Sequence, residues 1–127
     1  MSQGGGWLYA LVDEHAAAVK VGMTKDLFRR YMDAANWNPW LRVHSESWHA
    51  DAWRAEQAVH AQLAHARLPA WGPRFEWFKL SDPEVGRWLT ARTSVDLPVA
   101  ERIAELREES GTRAIFASAT RPTASRL

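Results

Sequence analysis

The stretch Trp7-Leu8-Tyr9-Ala10-Leu11-Val12-Asp13-Glu14-His15-Ala16-Ala17-Ala18-Val19-Lys20-Val21-Gly22-Met23-Thr24 decides the fold. Trp7 to Val12 is a run of aromatic and aliphatic residues of strand type, Asp13 to Ala17 reads as a turn, and Ala18 to Met23 is a second apolar run broken only by Lys20. Two such runs joined by a five-residue connection predict an antiparallel hairpin. Gly22 stands where the second strand is expected to leave the sheet.

Downstream of the hairpin, Thr24 can cap a helix over Lys25 to Ala35, with Leu27, Tyr31 and Ala34 on one stripe, and Asn36-Trp37-Asn38-Pro39 closes it. Trp40 to Trp48 alternates and predicts a third strand, with Leu41, Val43, Ser45 and Ser47 on one face and Arg42, His44, Glu46 and Trp48 on the other. Asp51 caps a second helix over Ala52 to His65, whose apolar stripe is Ala52, Ala55, Val59 and Leu63. Pro69 and Gly72-Pro73 close the following loop, Phe75 to Leu80 is extended, and Ser81-Asp82-Pro83 opens a third helix that turns Val85, Trp88 and Leu89 inward. The expectation is an α/β (α+β) domain in the order β-β-α-β-α-β-α, with a mainly antiparallel sheet flanked by helices.

The domain proper is expected over 7–92, after a flexible lead-in at 1–6. Residues 93–110 form a linker and a charged helix, Pro98 to Glu109, and 111–127 a disordered tail rich in Ala, Ser, Thr and Arg. A chain of 127 residues holds one core, and a second full domain does not fit. Cysteine is absent and the start lacks a basic segment leading into an apolar one, which points to a cytoplasmic protein. No run approaches the roughly 18 apolar residues that span a bilayer, so no membrane is expected. Net charge is only +1, yet Lys20, Lys25, Arg29, Arg30, Arg42 and Arg54 fall in the first half, which is compatible with a basic binding face. The eight Trp are spread along the chain and belong mostly to the core or its rim.

Several polar residues sit where a core-forming pattern does not want them. Glu56 lies three before Val59 and seven before Leu63, beside the apolar stripe, where a carboxylate needs a partner or a metal. The simplest partner is Arg30, which stands three after Leu27 and turns toward the same edge, and His60 is more often a satisfied core-edge histidine than a ligand. Tyr9 and Lys20 come side by side in the hairpin, and a lysine inside an apolar strand calls for a reason. A phenol, an ammonium, a guanidinium and a carboxylate on one surface can together hold and hydrolyse a phosphodiester: the cations bind phosphate and the carboxylate holds a divalent metal.

These residues resemble the GIY-YIG nucleases, Trp7-Leu8-Tyr9 standing for the first strand motif and Lys20-Val21-Gly22 for the second. The likeness is greater to the branch typified by a phage T5 open reading frame and a meiotically up-regulated fungal product. Val19-Lys20-Val21-Gly22-Met23-Thr24, Asp26-Leu27-Phe28-Arg29-Arg30, Ala55-Glu56-Gln57-Ala58-Val59-His60 and Glu76-Trp77-Phe78 follow that branch in order and spacing from about Trp7 to Leu89. The resemblance implies a DNA endonuclease in which Tyr9 is the general base or its relay, Arg30 the phosphate clamp, Glu56 the ligand of a single Mg or Mn ion, and Lys20 the occupant of the second tyrosine's place. His60 and Glu76 match the branch without an assigned chemical role, and His60 is carried as a candidate site residue. The chain departs from the parent pattern in lacking the first-motif glycine, the second tyrosine and the late asparagine. Two other readings stand beside the nuclease: a nucleic-acid-binding module without turnover, such as a phage or prophage regulator in which exposed Trp stack on bases, and a protein-interaction domain. In the last, the Pro98 to Glu109 helix docks a partner or a second copy through Val99, Ile103 and Leu106.

Overall fold

The computed structural model describes residues 4–68 and 76–119. The chain runs β1 (Gly6–Asp13), β2 (Ala18–Thr24), α1 (Leu27–Trp37), β3 (Arg42–His49), α2 (Ala52–Gln62), a single 3-10 turn (Ala64–Ala66), β4 (Trp77–Lys79), α3 (Pro83–Arg92), β5 (Leu97–Pro98) and α4 (Val99–Ala119). The expected order is present, with a short fifth strand and a long fourth helix following it. The sheet order is β4-β2-β1-β3-β5, every neighbouring pair antiparallel.

Because successive strand residues point to opposite faces, β1 supplies both cores at once. Leu8, Ala10 and Val12 join Val19, Val21 and Phe78 under α2 and α3, which contribute Val59, Val85, Trp88 and Leu89, with Leu63 just past the end of α2. Tyr9 and Leu11 join Ala18, Val43 and Trp77 under α1 and α4, which contribute Leu27, Tyr31, Ala34, Val99 and Ile103. The result is three layers, helices on both faces of one sheet.

Local structure differs from the sequence expectation at five places, each for a stated reason. Asp26, not Thr24, caps α1: its Oδ1 accepts from Arg29 N–H at 3.1 Å, while Thr24 Oγ1 takes the N–H of Asp26 at 3.1 Å and tightens the turn. α2 stops at Gln62, and a separate 3-10 turn over Ala64–Ala66 takes in His65. β2 does not leave the sheet at Gly22 but pairs with β1 as far as Thr24. β3 does not alternate through its length: Ala10 pairs with Ser45 but Leu11 with Val43, so His44 is bulged out. The bulge puts Val43 on the Tyr9 face and Ser45 on the Leu8 face, and it returns Glu46, opposite Tyr9, to the Tyr9 face. The His44 carbonyl is taken by three backbone N–H groups, from Ser94, Val95 and Asp96 at 3.3, 3.2 and 3.3 Å.

α4 is the fifth. It runs past Glu109 and Gly111 to Ala119, and Val99 and Ile103 are buried while Leu106 packs against the same core. The stripe read as a docking surface is therefore occupied by the chain's own sheet. A buried ion pair fixes it there: Arg102 donates from Nε and Nη2 to the two oxygens of Glu46 at 2.9 and 2.8 Å, and Tyr31 Oη donates to Glu46 Oε2 at 2.9 Å. The loop containing Pro69 and Gly72-Pro73, and residues 120–127, lie outside the described residues. Among the described residues no helix is long and apolar enough to cross a membrane.

Candidate functional site

The site forms along β2 past its described pairing with β4. Among the described residues, β4 pairs with Ala18, Val19 and Lys20, and the carbonyl of Glu76 takes the N–H of Val21 at 3.1 Å. Beyond that point α2 side chains take over the outward backbone groups of β2. His60 Nε2 donates to the carbonyl of Val21 at 2.8 Å, and the Glu56 carboxylate accepts from the N–H of Met23. Glu56 and His60, four apart on one helical flank, thus lie along one strand edge.

Tyr9 approaches the same edge from β1. It pairs with Gly22, and its ring lies across that glycine: a Cβ at position 22 would stand 2.6 Å from the phenol oxygen. No side chain fits under the ring, which is the physical reason for glycine here. From α1, Arg30 Nη1 donates to Tyr9 Oη at 3.0 Å, its guanidinium carbon 5.9 Å from the ring centre. Lys20, on the Tyr9 face of β2, pairs with Glu76 at 3.7 Å.

All five residues picked from the sequence therefore reach one edge, but not in the pairs the sequence implied. Arg30 holds the phenol, and Glu56 is held by Met23 N–H and by Gln57 Nε2 at 3.3 Å. His60 has Nε2 committed to Val21 and its ring against Phe78, centroids 5.4 Å apart, so it positions the strand edge. Glu76, which had no role in the sequence reading, belongs to the site as the partner of Lys20. Its place in the Glu-Trp-Phe segment beside β2 was the available signal.

The electrostatics follow from burial. Tyr9 has no exposed surface, and desolvation pushes its phenol up to about 12 although Arg30 pulls the other way. The phenol is thus protonated at neutral pH and accepts from Arg30 with its oxygen. Desolvation also raises the Glu56 carboxyl above its ordinary value; Glu76 adds to the rise, and His60, Gln57 and Met23 oppose it. A carboxylate held at such a cost gains from a cation.

Among the described residues no group of three or more His, Asp or Glu side chains is arranged to hold a metal. Glu56, with Glu76 near enough to act on its charge, offers hard oxygen donors. Magnesium is commonly held by one or two carboxylates together with water and substrate phosphates, so this donor set fits it.

No curated protein and no solved structure matches the chain. A family model, the T5orf172 domain, matches residues 6–93. That span opens on the first residue of β1, ends just past α3, and contains each residue gathered at the β2 edge. The match covers more than half of the 127 residues, and the chain belongs to the T5orf172 domain family.

Proposed function

We propose that this nuclease-like domain is a cytoplasmic, metal-dependent endonuclease that hydrolyses DNA phosphodiester bonds at the β2 edge. The observation that carries the reading is the Arg30 to Tyr9 bond of 3.0 Å laid over Gly22, with Glu56 on the adjoining backbone N–H. A guanidinium with donors beyond the one given to the phenol suits a phosphate oxygen. Tyr9, protonated at neutral pH, orients Arg30 through the bond its oxygen accepts instead of acting as a standing base. Lys20 adds positive charge near the phosphate, tempered by Glu76. Glu56 would hold a single Mg or Mn ion, which when bound would neutralise phosphate charge and activate water.

The test is nicking of supercoiled plasmid by wild type, Glu56→Ala and Arg30→Ala, with Mg, with Mn and with EDTA. Cleavage that needs both metal and Glu56 in a folded protein is the expected result. Intact plasmid under every condition would remove the hydrolytic reading.

The complete burial of Tyr9 favours a second reading, a DNA-binding module that keeps the fold without turnover. Salt-sensitive binding with no metal-dependent cleavage is its mark.

A further inference from the structure

Two helices turn one flank each toward the β2 edge, and each flank ends in an exposed tryptophan. On α1, Arg30 and Trp37 are seven apart, nearly two turns and roughly 10 Å along the axis, and so share a stripe. Arg30 reaches Tyr9, while the Trp37 ring makes a T-shaped contact with the ring of Trp77, the residue paired with Lys20, at 5.9 Å and 72°. On α2, Trp53 stands three before Glu56 and seven before His60, the two side chains bound to Met23 and Val21. Trp53 therefore lies beyond the Met23 end of the site and Trp37 beyond the Lys20 end. They are 39% and 55% exposed, high for indoles in a domain with two cores to fill. A T-shaped contact with Trp77 can cover one face of the Trp37 ring at most, so at least one face is clear of Trp77. The positive groups of the site, Arg30 and Lys20, lie between the two rings.

We infer that Trp37 and Trp53 are stacking platforms for unpaired DNA bases on either side of the phosphate held at Arg30, so that the substrate is single-stranded or locally opened DNA. This rests on the nucleic-acid reading above. A paired base hides its faces inside the helix, whereas an unpaired one presents a face that an indole can cover whatever the sequence. Charge complementarity selects the occupant: a backbone phosphate at the cations, with a base reaching the aromatic at each end.

The test measures binding in EDTA, so that it does not depend on cleavage. Anisotropy of a labelled single-stranded oligonucleotide, the same sequence as a hairpin duplex, and its RNA counterpart would be recorded at several salt concentrations. Trp37→Ala and Trp53→Ala are each expected to weaken single-strand binding roughly five- to a hundredfold. The salt slope should stay unchanged, because no phosphate contact is lost. Trp37→Phe and Trp53→Phe retain an aromatic face and should recover most of the affinity, which also covers a failure of either alanine variant to fold. Trp40→Ala, at an indole 76% exposed in the turn after α1, should change nothing. Unaltered single-strand binding in both alanine variants, equal losses on the duplex, an equal loss in Trp40→Ala, or an effect confined to RNA would each overturn the inference. If plasmid stays uncut while single-strand binding depends on Trp37 and Trp53, hydrolysis fails and the stacking role stands.

Discussion

The same three residue types meet twice in this molecule, with opposite results. Under α4, Glu46, Arg102 and Tyr31 close on one another: a two-pronged guanidinium to carboxylate contact at 2.8 and 2.9 Å, and a phenol donating to the same carboxylate at 2.9 Å. At the β2 edge, Tyr9, Arg30 and Glu56 are neighbours that do not close, because the guanidinium is turned to the phenol and the carboxylate to a backbone N–H. Hydrogen bonding to Glu46 raises the Arg102 guanidinium above its ordinary value, whereas burial works against the ionised Glu56. The two tyrosines touch edge to face at 6.0 Å, so the closed cluster supports the open one. A complete ion pair holds structure; a cation and a carboxylate kept apart leave each able to accept something else.

The strongest way to sharpen this contrast is Arg102→Ala. It strands Glu46, only 5% exposed, and should cost about 3–5 kcal/mol in urea unfolding. A loss under 1 kcal/mol would mean the pair is not structural. Arg30→Ala should do the reverse, slowing nicking by roughly a hundred- to a thousandfold while lowering stability by only about 1 kcal/mol. Equal destabilisation by both variants would break the comparison.

Alkaline pH probes the two phenols. Both are raised above the ordinary value of 10, Tyr9 to about 12 by burial and Tyr31 by burial and by Glu46. The unfolded chain therefore loses these protons first, and stability present below pH 10 falls as pH rises. Tyr9→Phe should remove about 2–3 kcal/mol of the loss between pH 10 and about 12. A curve of unchanged slope in that variant would show that Tyr9 ionises freely.

Gly22→Ala places a methyl 2.6 Å from the phenol oxygen and should cost about 1–3 kcal/mol, with a matching loss of the Arg30 to Tyr9 contact. The smallest effect is a gain. Because the folded carboxyl of Glu56 is raised, its contribution is favourable at low pH and lost as pH rises through the folded value. Glu56→Gln should be more stable than wild type at neutral pH, the advantage vanishing below the ordinary carboxylate range. Equal melting at both pH values would show that the carboxylate is not under strain.

The convergence of the candidate residues on one edge was legible because they break local rules: Lys20 inside an apolar strand and Glu56 beside an apolar stripe advertise themselves. Element order was legible through periodicity and caps such as Asp51 and Asp82, both of which accept from the helix backbone. What stayed hidden depends on pairing at long range. The stripe of Val99, Ile103 and Leu106 is plain in the sequence, but nothing local says that it covers its own sheet. Glu46 and Arg102 are 56 residues apart and ordinary where they stand. Gly22 looked like an exit because the ring that needs it comes from another strand.

The bulge at His44 is a phase shift built into β3. Before it, the strand keeps one parity with the sheet; after it, the opposite one. A single-residue deletion there would leave Val43 and Ser45 on the faces they already occupy, opposite the adjacent Leu11 and Ala10, but would remove the carbonyl that takes the N–H groups of Ser94, Val95 and Asp96. Length at this position is thus a tighter constraint than identity, and a family comparison should find substitutions at His44 far more often than gaps.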